Sequence, residues 1–514
     1  MSQPTAATLE VITAGPIALP PQRRLMIFFM LALAALLHVA TCGWGPINNG
    51  SDGMNAAIAR ELALGLRPAQ ISQLWNQPVQ AGPVQWITAE SFQIFNVNEL
   101  AARLPFAIAN LLVVALVFLI AERIGGFWRA LSSGIIAATM SGTILHGRDG
   151  GGSALTVLWL TLSFYAAVRM LEQKSRPQWH LLYWCSAGGL LALGQPAAAI
   201  LSIASVWAPF AFFREARIRL RLPWWITCNL LFLAVLILFF HSHWIVLPTW
   251  APANAGRVFW MLFPWSIVML PPFFCRIRKV LRLKELTPAE SVLWCLFVLG
   301  TSWVLLFSKP DEWPASSACL GPIFALLSSI IWERTSSRIR MLGVGLLIVL
   351  AIMGLGFCGR IAGREWLNLL QPIWWLSLGV IIVFCISAMV ALFYRHSRAA
   401  LLTIAASTIP LAFNLLDAKA RYDWQRTMKD FGKKVEVGYM PSSRIFLADQ
   451  LPAASSFLFY APHGLSLHTI QSKSEIAASP SNYLIVRRSD ATNWPNARKL
   501  GGNVTHVLFV LGER

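Results

Sequence analysis

The stretch "LMIFFMLALAALLHVATCGWGPINNGSDGMNAAIAREL" (25–62) holds two unlike halves. The first is an unbroken apolar run behind Arg23 and Arg24, long enough to cross a bilayer at about 20 residues per span. It lacks the small-residue cleavage site of a signal peptide, so it reads as an uncleaved first span. The second half carries Asp52, Arg60 and Glu61 in a chain with only 13% charged residues. Its composition, "MNAAIARELALG" (54–65), favours a helix, with Ser51 or Asp52 as N-cap and Gly65 as C-terminal cap. Ile58, Ala59 and Leu62 share one apolar face, which predicts an amphipathic helix at the membrane surface with Arg60 and Glu61 on its polar side.

The pattern of that first run recurs along the chain. Of 514 residues, 56% are hydrophobic, with 23 Trp and 30 Phe, and the mean hydropathy is +0.59. A soluble domain carries roughly 25% charged residues, so lipid is the solvent for most of this chain. About 13 apolar runs are candidate spans. They lie near 25–45, 104–122, 130–146, 153–171, 180–195, 197–213, 223–242, 257–275, 288–308, 315–332, 340–360, 371–394 and 399–416.

The net charge of +19 raises nucleic acid as a partner. Placing the N-terminus in the cytoplasm and alternating the spans removes that reading. Arg123 and Arg129, the Arg214–Arg221 cluster, the Arg276–Lys284 cluster, Arg334, Arg338, Arg340, Arg395 and Arg398 then all fall in loops of one side. That is the positive-inside bias, and it fixes the expected orientation. The eight Cys are scattered in or beside apolar runs with no C-x-x-C, and read as small hydrophobes.

Two regions then face outward: the segment 46–103, and a tail over 417–514. "RIFLA" (444–448), "SFLFYA" (456–461), "YLIVRR" (483–488) and "HVLFVLG" (506–512) read as strands, with "DWQRTMKDFGKKV" (423–435) and "SKSEIAA" (472–478) helical between them. The expected fold class is an all-α polytopic membrane protein with a small C-terminal α/β domain, divided as 1–416 and 417–514.

The ordered segments resemble the integral-membrane glycosyltransferases of the aminoarabinose-transferase and protein-mannosyltransferase family, with the GT-C fold. The resemblance runs through "SDGMNAAIAREL" (51–62), "NELAARLP" (98–105), "LHGRDGGGSALTVLWLTL" (145–162), "LALGQPAAAI" (191–200), "MLFPWSIVML" (261–270) and "FSKPDEWPASSACLGPIFALL" (307–327). The family's Asp-Glu pair precedes the Ile of "IAREL" by seven and six residues, places held here by Ser51 and Asp52. Its Glu-Lys-Pro-Pro segment is reduced to "QAGPVQW" (80–86), and Gly194 or Gln195 replaces the Lys of its Lys-Gly-Pro segment. Asp149 stands next to Arg148 rather than a turn away.

The resemblance implies an inverting transfer of a sugar from a polyprenyl-phosphate donor to a lipid or glycan acceptor of the cell envelope, as in lipid A modification. It implies a bacterial inner membrane, with the tail periplasmic or extracellular. A carboxylate would deprotonate the acceptor hydroxyl, and Arg would hold the departing phosphate. On the resemblance, Asp52 and Asp149 are the catalytic candidates; Arg148, Lys309 and Arg103 are the donor-phosphate candidates; Glu90 and His146 line the acceptor cavity. Each has a plainer alternative: a helix cap for Asp52, an ion pair for Arg148 with Asp149, an interfacial anchor for Arg103 and Lys309, a surface polar group for Glu90, an interfacial histidine for His146. No metal site is predicted, since His241 and His243 sit two apart without a carboxylate; a divalent cation at the phosphate stays open. Two other classes compete: a catalytically silent relative that binds lipid or partner proteins, and a transporter. The transporter needs ionisable residues within the spans, whereas here they cluster at span ends.

Overall fold

The computed structural model describes residues 20–511, apart from 77, 148–149, 172–175, 213–225, most of 227–251, 283–287, 308–316, 362–372, 439–443, 449–454, 464, 470–481 and 495–496. Most of the expected span over 223–242 and the whole expected helix over 472–478 fall on residues outside this set.

The chain is helical from α1 (Pro21–His38) onward. Three helices of the 46–103 segment follow: α2 (Ser51–Ala63), α3 (Pro68–Trp75) and α4 (Pro83–Phe95). The bundle continues with α5 (Glu99–Gly125), α6 (Phe127–Thr139), α7 (Ser141–His146), α8 (Ser153–Met170), α9 (Pro177–Ala192) and α10 (Pro196–Phe212). After the undescribed stretch come α11 (Pro252–Met261), α12 (Trp265–Val268), α13 (Leu270–Arg282), α14 (Pro288–Phe307), α15 (Leu320–Arg334), α16 (Ser337–Ile361), α17 (Ile373–Phe393) and α18 (Ser397–Arg426).

Among the described residues five helices are long and apolar enough to span a bilayer: α5, α8, α14, α17 and α18. The protein is a multi-pass membrane protein. Its lipid-facing surface is apolar where a soluble protein would be polar. On α17, Leu376, Val383 and Phe393 are 72%, 63% and 72% exposed. The run over 130–146 is not one span: it breaks at Met140, whose extended backbone separates α6 from α7. The Gln195–Pro196 junction likewise separates α9 from α10, with Gly194 at φ +66°.

The two ends of the bundle are chemically distinct. At one end Arg398 stacks on Trp128, Arg23 on Phe127, and Arg129 pairs with Glu333. There α13, α14 and α15 are tied by Glu290, which is fully buried. It accepts from Arg276 Nε and Nη2 at 2.7 and 3.0 Å, and from Arg334 Nη1 at 2.7 Å. Removing one partner from a buried ion network costs about 3–5 kcal/mol; because Arg334 is a third exposed, we expect Glu290→Gln to cost nearer 2 kcal/mol. Thermal unfolding of the detergent-solubilised protein measures it, and an unchanged transition would refute the role.

At the other end sits the C-terminal sheet. α19 (Lys429–Gly438) leads into β1 (Ile445–Ala448), α20 (Ser455–Tyr460), β2 (Leu467–Thr469), β3 (Asn482–Arg487), β4 (Arg498–Gly502) and β5 (His506–Leu511). The sheet order is β2-β1-β3-β5-β4. β1 pairs parallel with β2 and β3, and β5 pairs antiparallel with β3 and β4. Three of the four strand expectations hold, as β1, β3 and β5. "SFLFYA" does not: it is the helix α20. Its five consecutive buried residues carry no alternation, and a short fully apolar run suits a buried helix as well as a strand. α20 packs on α2 and α19 instead of entering the sheet. α18 runs unbroken through residue 416, so the chain leaves the bundle within a helix.

Candidate functional site

The helix α2 forms as its composition predicts, and Gly65, at φ +90°, ends it, its N–H reaching Leu62 O. Its start differs from the expectation. Gly50 occupies the N-cap position, and neither Ser51 nor Asp52 caps the helix with its side chain. Asp52 turns away from the helix and is buried. Its Oδ2 accepts from Arg103 Nη2 at 3.3 Å, and its Oδ1 accepts from the Gly150 N–H at 2.9 Å.

Arg103, one turn into α5 and only 2% exposed, does more than meet Asp52. It donates to Gly45 O and Pro46 O, both at 2.8 Å, and so holds the reversal of chain between α1 and α2. Five donors in a fixed fork let one guanidinium meet carbonyls and a carboxylate together.

The turn between α7 and α8 closes onto α2. Asn55 Nδ2 donates to Gly150 O at 2.8 Å and accepts at its Oδ1 from Gln85 Nε2 at 2.6 Å. Glycine at 150 lets the turn approach this closely: a Cβ would lie 2.5 Å from Asp52 Oδ1 and would displace the carboxylate. A Cβ on Gly151 would lie 3.1 Å from Ser51 Oγ, so the exposed Ser51 faces the same turn. Below it, buried Asn110 donates to Thr143 O at 2.8 Å and to His38 Nδ1 at 2.9 Å, while His38 Nε2 donates to Ala138 O at 3.2 Å. That chain of bonds fixes α7, which ends at His146.

Of the residues singled out from the sequence, the fold thus brings Asp52 and Arg103 into direct contact. Arg148, Asp149 and Lys309 lie outside the described residues, as does the side chain of His146. Glu90 is exposed on α4 and is not among the partners of Asp52. Asn55, Gln85 and Gly150 were not anticipated. Asn55 carried one signal, standing three residues after Asp52 on the same helix face; nothing in sequence links Gln85 or Gly150 to α2.

Arg60 and Glu61 correct an expectation. They are 4% and 2% exposed and form an ion pair, not a solvated face. Arg60 Nη1 donates to Phe459 O at 2.8 Å and Ala461 O at 2.5 Å, docking α20 on α2. Glu61 Oε2 is buried with no hydrogen-bond partner among the described residues. The apolar positions of α2 and the sheet-side residues Phe431, Val435, Phe457 and Leu458 share one core. Gly53 permits the approach, since a Cβ there would lie 2.8 Å from Ser455 Oγ and 2.9 Å from Ser456 N. The contact is reinforced by Ser455 Oγ on the Gly50 backbone and by Asn49 Oδ1 accepting from Ser456 N and Oγ.

A further knot joins the loop, α5 and the sheet region. Tyr460 OH accepts from Ile47 N at 2.8 Å and donates to Glu99 Oε1 at 3.1 Å; Lys429 Nζ pairs with the same Glu99 oxygen. Burial and the neighbouring Glu99 carboxylate push the Tyr460 hydroxyl well above its ordinary range, so it stays protonated and keeps that donor. Among the described residues no group of three or more His, Cys, Asp or Glu is placed to hold a metal.

The chemistry available at the α2–Gly150 junction is that of a positioned carboxylate. A carboxylate has about four lone-pair sites, and here two are taken, which leaves acceptor capacity beside a glycine-lined turn.

Residues 80–244 match the family model described as dolichyl-phosphate-mannose-protein mannosyltransferase. The fold matches the crystal structure of ArnT from Cupriavidus metallidurans bound to undecaprenyl phosphate, with a TM-score of 0.73 at 13% identity, covering 95% of this chain and 99% of that one. The same protein in the apo state gives a TM-score of 0.74 at 13% identity, covering 96% and 100%. No curated protein sequence matches the chain. The fold is therefore that of the ArnT structures, as the resemblance implied.

Proposed function

We propose that this protein is a membrane glycosyltransferase that moves a sugar from a polyprenyl-phosphate donor to a cell-envelope acceptor on the non-cytoplasmic side, with inversion. The observation that carries the reading is the Asp52 junction. A carboxylate from α2, a guanidinium from α5 and the Gly150 turn meet at one span end, in a chain folded like ArnT over nearly its whole length. In this reading Asp52 takes the acceptor's proton. Arg148, next to that turn in the chain, and Lys309 neutralise the lipid phosphate left behind, with Asp149 as the second catalytic carboxylate and His146 and Glu90 toward the acceptor. Arg103 acts on Asp52 rather than on the phosphate, because its donors are already met by Gly45, Pro46 and Asp52. The helices over 1–416 form the transferase body, and 417–514 form a periplasmic or extracellular α/β unit of a bacterial inner-membrane protein.

One observation favours a second reading, a catalytically silent lipid- or partner-binding relative. The exposed position at the start of α2, where the family resemblance places its first aspartate, is Ser51.

Transfer of radiolabel from polyprenyl-phosphate sugars to envelope extract, by the purified chain and by Ser51→Asp, tests both. Transfer by the native chain supports the enzyme. Transfer by Ser51→Asp alone supports the silent relative, whose missing carboxylate the substitution restores. No transfer by either protein across a donor panel would sink the transferase reading.

A further inference from the structure

A concave site lies away from the Asp52 junction. It is a cleft of about 410 Å³ where α5 begins, lined from three directions: Asn98 and Glu99, Arg60 of α2, and Lys429, Glu436, Tyr460 and His463 from the sheet side. That volume is in the range of small-ligand clefts. Arg60 stands eight residues beyond Asp52 on α2, which at 1.5 Å rise puts the two sites about 12 Å apart along the helix.

The charges decide what fits. Both cations of the cleft are spent: Lys429 is paired with Glu99, and Arg60 with Glu61 and two carbonyls. Glu436 is exposed and has no hydrogen-bond or ion-pair partner among the described residues; the same holds for His463. The charge left for a ligand is one carboxylate, which repels phosphate and accepts hydroxyl protons. Asn98 and His463 add polar groups, and the half-buried Tyr460 adds ring surface, whose electron-rich face attracts polarised C–H bonds. This is the chemistry that recognises a hydroxyl-rich, uncharged sugar.

The location adds the second half. The cleft opens where α5 and α18, both spans, end on the same side. Apolar surface lies uncovered beside it: Val97, which lines it, is 40% exposed, Ile94 and Phe95 just before it in the chain are 70% and 46% exposed, and Trp424, whose ring centre is 5.2 Å from Lys429 Nζ, is 53% exposed. An amphipathic molecule can lay its chains against that surface while its sugar enters the cleft.

We propose that this cleft is a saccharide subsite at the membrane boundary, which holds a non-reacting sugar of the acceptor and so presents the acceptor to the Asp52 junction. As a saccharide site it stands on the cleft alone; as the acceptor's subsite it rests on the transferase reading above.

The test uses the full chain in lipid nanodiscs and saturation-transfer difference NMR, with chitobiose and mannobiose as probes and inorganic phosphate as the anionic competitor. The wild type is expected to transfer saturation to a disaccharide. Glu436→Gln with His463→Ala should weaken that binding about tenfold, the loss of two hydrogen bonds, one of them to a carboxylate, at an exposed position. Phosphate should not compete. No saturation transfer to either sugar, unchanged affinity in the double variant, or displacement by phosphate would each overturn the site. Sugar binding by a wild type that transfers no sugar would show failure of the transferase reading with the saccharide site intact, and transfer without sugar binding would show the reverse. A glycosyl diglyceride in the nanodisc that displaces the disaccharide at lower concentration than the free sugar identifies a lipid-borne acceptor. Equal displacement identifies a free glycan.

Discussion

Replacing Arg103 by methionine should lower the stability of this protein by about 3–5 kcal/mol, the cost of stranding buried polar partners. The guanidinium is 2% exposed and meets Gly45 O, Pro46 O and Asp52 Oδ2. Methionine fills the volume but strands two carbonyls and the Oδ2 atom of Asp52, whose Oδ1 keeps only the Gly150 N–H. Arg103→Lys should recover only part of the loss, because an ammonium is a point charge and cannot fork between the loop and the carboxylate. The effect should be local before it is global. Limited proteolysis should cut the 46–103 segment faster, while spans away from it resist. An unfolding temperature and cleavage rate equal to the wild type would show that Arg103 is only an interfacial anchor.

Asp52→Asn should reduce sugar transfer by about 10² to 10⁴, the contribution of a positioned general base. Asparagine keeps the shape but loses the charge facing Arg103. It also presents an NH₂ either to that guanidinium or to the Gly150 N–H, where two donors would meet. The variant must therefore be read on two axes. If transfer falls by orders of magnitude while the unfolding temperature moves by a few degrees, the carboxylate acts in the reaction. If transfer and stability fall together, Asp52 serves to seat the Gly150 turn, and the proton goes elsewhere. Undiminished transfer would remove Asp52 from both roles and leave Asp149 as the carboxylate to test.

The membrane fold was legible in the sequence because its cause is local. A run of apolar residues is driven into lipid whatever the rest of the chain does, and each such run reports itself in its own composition. The same holds for α2, α5 and the three strands β1, β3 and β5, whose patterns are set within a few residues. "SFLFYA" shows where this stops: a continuous apolar run fixes burial and not backbone type, and packing against α2 and α19 made it a helix.

The site was legible only in its residue types. The sequence by itself determined that Asp52 and Arg103 would stand near span ends, since charged residues cannot rest within lipid at low cost. Only the tertiary structure decided that the two meet, because their contact is a matter of how α2 returns over α5, fifty-one residues later. It also decided that Gly150 supplies the third group of the junction, from ninety-eight residues away. Arg60 and Glu61 show the same limit from the other side. Their spacing matches a solvated helix face as well as a buried one, and the choice was made by α20, some four hundred residues downstream, which covers that face and turns two carbonyls towards Arg60. A charge pattern states which side of a helix is polar; whether water or another part of the chain satisfies it is settled by what packs there.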